Sequence, residues 1–415
     1  MKKIVFFAIT MTIAMANCQN KKQKAFDIDK NLTYCVAQAN KTLTAAPDSL
    51  AIPRNIAPGS KNWNYVGYED WTSGFWPGIL WYLYEYTGDA ALKEKADKYT
   101  RFLTPLSNRS ATDHDLGFQV YSSFGNGLRL TNNKEYKDII LKTSDTLATL
   151  YNPKVGTILS WPGMVKEKNW PHNTIIDNMI NLEMLFDTSK MGGSKSLYDM
   201  AVKHAETTMK NHFRKDYSVY HVVVYDTVTG KKIKGITHQG YSDNSMWARG
   251  QGWAIYGFTM VYRETKNPKF LDFAHKVAKV YLDRLPKDLI PYWDFDAPNL
   301  SKQPRDASAA ALVASGLIEL STYTKDKTLA KTYLDKAEAM LVELSSDRYQ
   351  SRNVNSAFLL HSTGHYPNKT EIDYSIIYAD YYYVEALLRL KKIKEGKNII
   401  APLQMNKSIV FKNDK

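Results

Sequence analysis

The sequence predicts an all-α chain folded as an (α/α)6 barrel of six inner and six outer helices, and three observations predict it. About twelve segments with helical periodicity follow the N-terminal leader, and few stretches alternate as strands do. Neighbouring segments also differ in character. One is apolar and aromatic nearly all round and the next carries Lys, Asp and Glu on one face, as in residues 75–86 against 91–102 and 252–262 against 269–282. A helix that is apolar all round is buried and one with a charged stripe faces water, so inner and outer helices alternate. Finally, a stop-then-start signature recurs between the members of each pair.

In chain order, the first outer helix begins near Asp27 and the first inner helix near Gly74. Thr87-Gly88-Asp89 ends that inner helix and starts the next outer one at Asp89. The second inner helix begins near Asp115, and Thr131-Asn132-Asn133 starts its outer partner at Asn133. The third begins near Ile176 and is closed by Gly192-Gly193-Ser194, before an outer helix from Lys195. The fourth begins near Gly250 and ends at Thr265-Lys266-Asn267-Pro268, which opens an outer helix at Asn267. The fifth begins near Ala307 and is followed through Thr324-Lys325-Asp326 by an outer helix at Asp326, and the sixth begins near Ser375. Six and six suggest a closed double ring, with an open superhelix of helical hairpins as the alternative.

The chain opens with Lys2 and Lys3, then an apolar run from Ile4 to Ala16 that is too short to span a bilayer and has the layout of a secretory signal. Residues 1–17 are read as that signal, 18–26 as a short linker, 27–395 as one barrel domain and 396–415 as a tail. Cys18 sits where a bacterial lipoprotein carries its lipid, while Ala14-Met15-Ala16 offers simple cleavage as the competing route. The expectation is an exported protein of a Gram-negative bacterium, in the periplasm or held at the outer membrane through Cys18. With Cys35 as the one other cysteine, neither a disulfide framework nor a thiolate zinc site can form. The net charge of +13, from 55 basic and 42 acidic residues, favours anionic partners. Export argues against nucleic acid, and 28 Tyr and 9 Trp suit sugar stacking as well as core filling.

In a double ring the loops into the inner helices share one face, and here they are the longest and most decorated connections. Function is expected at that face. Asp177, in Ile176-Asp177-Asn178-Met179, and Asp115, in Asp113-His114-Asp115-Leu116-Gly117-Phe118, each lead into an apolar helix. Either carboxylate can serve as a helix cap, yet both then stand at the barrel mouth, where burial and mutual repulsion would hold one protonated near neutral pH. Arg249 sits among Trp247, Gly250 and Trp253, placing a planar fork that suits a carboxylate; pairing with Asp243 or another loop acid is the structural alternative. His114, His221 and His238 lack metal-site spacing and read as hydrogen-bonding histidines. Trp71, Trp76, Trp247 and Trp253 suit either sugar stacking or core.

Together, residues 114–118, 176–181, His238-Gln239-Gly240-Tyr241, 247–251 and 373–383 resemble glycoside hydrolase family 88, the unsaturated glucuronyl hydrolases, over roughly residues 27–391. The resemblance implies an (α/α)6 barrel and an enzyme without a cofactor or metal. Its substrates would be lyase-generated glycosaminoglycan oligosaccharides ending in a 4,5-unsaturated uronic acid. It implies that Asp177 protonates C4 and later takes a proton from water, and that Asp115 is the second acid. It also implies that Trp71, His114, His221, Gln239, Arg249 and Trp253 bind substrate. Two alternatives stay open: the pectin-directed unsaturated rhamnogalacturonyl hydrolases of family 105, and a non-catalytic, glycan-binding helical lipoprotein.

Overall fold

A computed structural model describes residues 26–47 and 50–400. The expected signal peptide, Cys18, most of the linker and residues 401–415 lie outside that region. Six outer helices run from Ile28–Ala45 (α1), Ala90–Phe102 (α3), Lys134–Ala148 (α5), Lys195–Asn211 (α8), Pro268–Arg284 (α10) and Lys327–Leu344 (α12). Asp27, Asp89, Asn133, Ser194, Asn267 and Asp326 accept backbone N–H bonds at their N-termini. These polar side chains satisfy donors that have no intrahelical partner, which is why the stop-then-start signature located the outer helices closely.

The inner ring is Phe75–Thr87 (α2), a π-helical turn Gly117–Gly125 continuing into Asn126–Thr131 (α4), Asn178–Lys190 (α7), Ala248–Thr265 (α9), Ala307–Tyr323 (α11) and Ile377–Lys394 (α13). Each packs on the next, and α13 packs back on α2, so the ring closes and the open superhelix is excluded. Every residue of α11 from Ala307 to Leu320 is buried, whereas α12 buries Tyr333, Ala337, Met340, Leu341 and Leu344 at helical spacing. Each such large apolar side chain contributes about 1.5–3 kcal/mol of burial free energy. At the start of α2, a Cβ on Gly74 would lie 2.2 Å from the Gln119 carbonyl oxygen, so glycine lets that helix meet the π turn.

The chain is not purely helical. Short strands Ile52–Ile56 (β1), Asn64–Val66 (β2), Tyr151–Asn152 (β3), Thr157–Ile158 (β4), His172–Ile175 (β5), Val222–Tyr225 (β6), Lys232–Ile236 (β7) and Ser375–Ile376 (β8), with a one-turn-plus helix Pro162–Glu167 (α6), fill the connections into the inner helices. In one sheet, ordered β2-β1-β8, Asn55 pairs with Ile376 and Ile56 with Ser375, joining the loops that precede the first and last inner helices. In another, ordered β5-β6-β7, Ile175 pairs with Val222 and Val222 with Ile236. All four residues of β6 are buried, so the strand lacks the alternation by which strands are recognised.

Candidate active site

Asp177 owes its position to the β5-β6-β7 sheet. The ladder extends one residue past Ile175, where Ile176 N–H donates to His221 O at 3.0 Å, setting His221 beside Asp177. The next turn, after β7, delivers His238 and Gln239, whose backbone N–H groups donate to His221 Nδ1 at 3.2 and 3.1 Å. A ring nitrogen that accepts two N–H bonds carries no proton, so the neutral His221 has its hydrogen on Nε2. That nitrogen stands 3.6 Å from Asp177 Oδ2, and neither atom has another partner among the described residues. Asp177 itself makes no side-chain capping bond, so the cap alternative does not apply. Its carboxyl, 14% exposed, is pushed up to about 7 by burial, with the Arg249 charge and its own backbone N–H pulling the other way more weakly.

Asp115 is held by different elements and arrives at the same arrangement. Asp113 Oδ1 accepts from Asp115 N at 2.9 Å, and His114 N donates to Ser160 O at 3.0 Å, fixing the loop. Asn181, one turn beyond Asp177 on α7, accepts from Phe118 N through Oδ1 at 3.1 Å. Its Nδ2 is thereby turned to donate to His114 Nδ1 at 3.0 Å. His114 therefore also carries its hydrogen on Nε2, 3.5 Å from Asp115 Oδ1. Burial moves His114 down to about 4, so it is uncharged at neutral pH. Asp115 is raised well above the usual carboxylate range by burial first, then by the Asp113, Asp177 and Asp70 charges. Burial, more than repulsion between the two acids, is thus what keeps Asp177 protonated.

The remaining expected residues join this centre, two of them in altered roles. Trp71 is half-buried and meets Phe118 edge-on at 5.7 Å and Tyr378 at 5.2 Å, leaving ring surface at the mouth. Trp253, expected to stack on sugar, is fully buried against Phe118 and Tyr382 and forms the floor beneath the acids, because α9 turns it into the barrel. Its indole N–H makes no hydrogen bond among the described residues. Arg249, expected as a free fork for an anion, is anchored in the wall. Its Nη1 donates to Asp306 Oδ2 and Thr363 O, and its Nη2 to Gly364 O, each at 2.6 Å. The expected partner Asp243 instead accepts from Thr237 N. Two of the five Arg249 N–H groups remain without a bond among the described residues. Gln239 is half-buried, and its backbone N–H holds His221.

Several neighbours escaped the sequence. Trp161 lies 5.7 Å from His221 and 5.3 Å from His238, and the Asn173 amide fixes its backbone by accepting from Trp161 N and donating to Trp161 O. His365 packs on His238 at 4.8 Å, and Tyr378 lies under the Arg249 guanidinium at 5.3 Å. The Trp161-Pro162 step was the one available signal for that ring. Among the described residues no group of His, Cys, Asp or Glu is arranged to hold a metal, and no helix is long and apolar enough to cross a membrane. A cavity of about 470 Å³ at the opposite end of the barrel, among Glu85, Arg129, Glu183, Arg263, Glu385 and Arg389, contains none of the eight expected residues.

The chain resembles proteins of known activity along most of its length. The chain is 43% identical over 405 residues to an unsaturated glucuronyl hydrolase of Formosa agariphila, covering 95% of this chain and 99% of that one. It is 37% identical over 328 residues to an unsaturated chondroitin disaccharide hydrolase of Streptococcus pyogenes, covering 78% and 82% respectively. The crystal structure of an unsaturated glucuronyl hydrolase specific for heparin superposes with a TM-score of 0.84 at 41% identity, over 89% of this chain and 98% of that one. The model of Glycosyl Hydrolase Family 88 matches residues 39–409, and the chain belongs to that family.

Proposed function

We propose that the protein is an unsaturated glucuronyl hydrolase that hydrates the C4=C5 double bond of the terminal unsaturated uronic acid in lyase-generated glycosaminoglycan oligosaccharides. The observation that carries this reading is Asp177: a half-buried, uncapped carboxyl at the mouth, held protonated to about pH 7, beside a second raised acid. An enol ether protonates on carbon, which needs an acid that still holds its proton near neutrality. Asp177 gives its proton to C4, and positive charge develops at C5 and the ring oxygen. Water adds to C5 and returns a proton to Asp177, so the enzyme ends as it began. The hemiketal opens to a keto acid and releases the rest of the oligosaccharide; bond cleavage follows hydration, so the spacing rule for glycosidase carboxylates does not govern the outcome.

Around that step, Trp71 and Trp161 offer ring surface to the sugars. The Arg249 charge favours the uronate carboxylate in the mouth, and Asp115 orients substrate. The basic balance of the chain suits chondroitin, hyaluronan and heparin fragments alike. Residues 27–395 act as one barrel domain, exported and, through Cys18, tethered to the outer membrane. Loss of the ultraviolet absorbance of the unsaturated uronate across a panel of lyase-generated disaccharides tests reaction and specificity together. In deuterated water the product acquires deuterium at C4; an intact chromophore after full incubation overturns the reading. A Cys18→Ala protein recovered in the soluble fraction supports the tether, and one whose distribution is unchanged refutes it.

A further inference from the structure

We infer that His114 and His221 are positioning residues, neutral imidazoles whose Nε2–H groups each hold one acid of the site, rather than rings that bind sugar. The inference rests on the proposed role of Asp177 as the carbon acid. Three atoms of this arrangement, Asp177 Oδ2, His221 Nε2 and His114 Nε2, are buried without a hydrogen-bond partner among the described residues. They face the opposing groups at 3.6 Å for His221–Asp177 and 3.5 Å for His114–Asp115. Such bonds are commonly long in an unliganded site and tighten with substrate. In both histidines the other nitrogen is occupied as an acceptor, by two backbone N–H groups in one case and by the Asn181 amide in the other. Two unrelated pieces of the fold, a strand ladder and a helix-to-π-turn contact, thus impose the same tautomer and aim the same nitrogen at an acid.

The chemical consequence is an assignment of oxygens. With His221 Nε2–H directed at Oδ2, the transferable proton of Asp177 resides on Oδ1. As that proton leaves for C4, negative charge develops on the carboxyl, and the Nε2–H bond to Oδ2 strengthens against it, in the manner of a preorganised donor. Water then adds to C5 and its proton returns to Oδ1; His221 neither gains nor loses one. The groups facing Asp177 are Arg249, Trp253, His221 and Asp115, and those facing His221 are His238, His365, Arg249 and His212. Each of these histidines is disfavoured as a cation, so the N–H of His221 is the donor aimed at Oδ2 at neutral pH.

Two complementary substitutions separate holding the acid from holding the loop. His221→Asn places a carbonyl oxygen near the Nδ1 position, keeping an acceptor for the His238 and Gln239 amides, but removes the donor aimed at Asp177. His221→Gln does the reverse. The Asn protein is expected to lose roughly 10- to 100-fold in kcat, with KM within about twofold. Its alkaline limb of kcat/KM should move to higher pH, because the carboxylate has lost a donor. The Gln protein is expected to keep the wild-type limb and most of kcat. Identical pH profiles for the two variants, a raised KM with kcat intact, or an Asn protein that fails to fold each overturn the inference. A wild-type protein that leaves the chromophore intact instead sinks the proposed function itself, so the two failures are distinct.

Discussion

Asp306 is the residue on which the wall of the site depends. Its carboxylate accepts from Arg249 Nη1 at 2.6 Å through Oδ2, and through Oδ1 caps α11 at Ser308 N and reaches Thr363 N at 3.4 Å. Asp306 is fully buried, and the Arg249 side chain is 3% exposed. In Asp306→Asn the amide oxygen can keep the cap, but the NH2 then faces Arg249 Nη1, donor against donor, and a buried guanidinium loses its counter-charge. Breaking a buried pair on one side costs about 3–5 kcal/mol. Unfolding entropy of about 2.1 cal/mol/K per residue, over 415 residues, is roughly 0.9 kcal/mol/K. The thermal midpoint should therefore fall by about 3–6 °C by differential scanning calorimetry, and kcat should fall with it as the Arg249 fork swings. A midpoint unchanged within a degree, with normal turnover, refutes the view that this pair supports the site.

Three further outcomes follow from the same geometry. Arg249→Lys keeps the charge but cannot make three short bonds at once, so substrate binding should weaken by roughly tenfold in KM while the fold survives in circular dichroism; an unchanged KM argues that Arg249 is structural. In Gly117→Ala the new Cβ would stand 2.4 Å from Asn181 Oδ1, separating the π turn from α7, and should lower both thermal midpoint and kcat, the latter by about tenfold or more in chromophore assays. The pH dependence has two parts. Between about pH 4 and 6.5 the unfolded chain protonates histidines that burial keeps neutral in the fold, among them His114, His172, His204, His212, His221 and His365, so stability rises with pH. Asp177, Glu183 and Asp380, raised to about 7, 7 and 8, act the other way from about pH 4 up to those values, because the fold binds their protons more tightly than the unfolded chain does, and above about pH 6.5, where the histidine gain is complete, their effect alone remains. Stability then declines, so the midpoint should peak near pH 6.5 by scanning fluorimetry, and kcat/KM should fall as pH rises through about 7.

What was legible in the sequence was whatever depends on local pattern. The outer helices were found because Asp89, Asn133, Asn267 and Asp326 cap them with their own side chains. The inner helices were found because they are apolar all round. Asp177 stood out as an acid opening such a helix, and the family resemblance supplied the chemistry proposed for it. What was not legible depends on contacts between distant segments. The β5-β6-β7 sheet sets His221 beside Asp177, yet its strands have no alternating face to read. The Arg249–Asp306 pair spans 57 positions, and either residue alone looks like a loop charge. For Trp253 the residues left sugar stacking and core both open and the resemblance implied stacking; helix periodicity alone does not say how deep in the barrel a ring lies. The tautomers of His114 and His221 follow from Asn181 and from two backbone N–H groups, none of which carries a sequence signature.

The central claim is that the Asp177 carboxyl delivers a proton to carbon. Asp177→Asn keeps the shape, and because no capping bond depends on this side chain, the fold should stand. The decisive measurement is the rate of chromophore loss for this variant and the wild type, on the best disaccharide of the panel, with matched circular dichroism. The account predicts a fall of at least about 10³-fold with the spectrum unchanged. Turnover within a few-fold of wild type would contradict it.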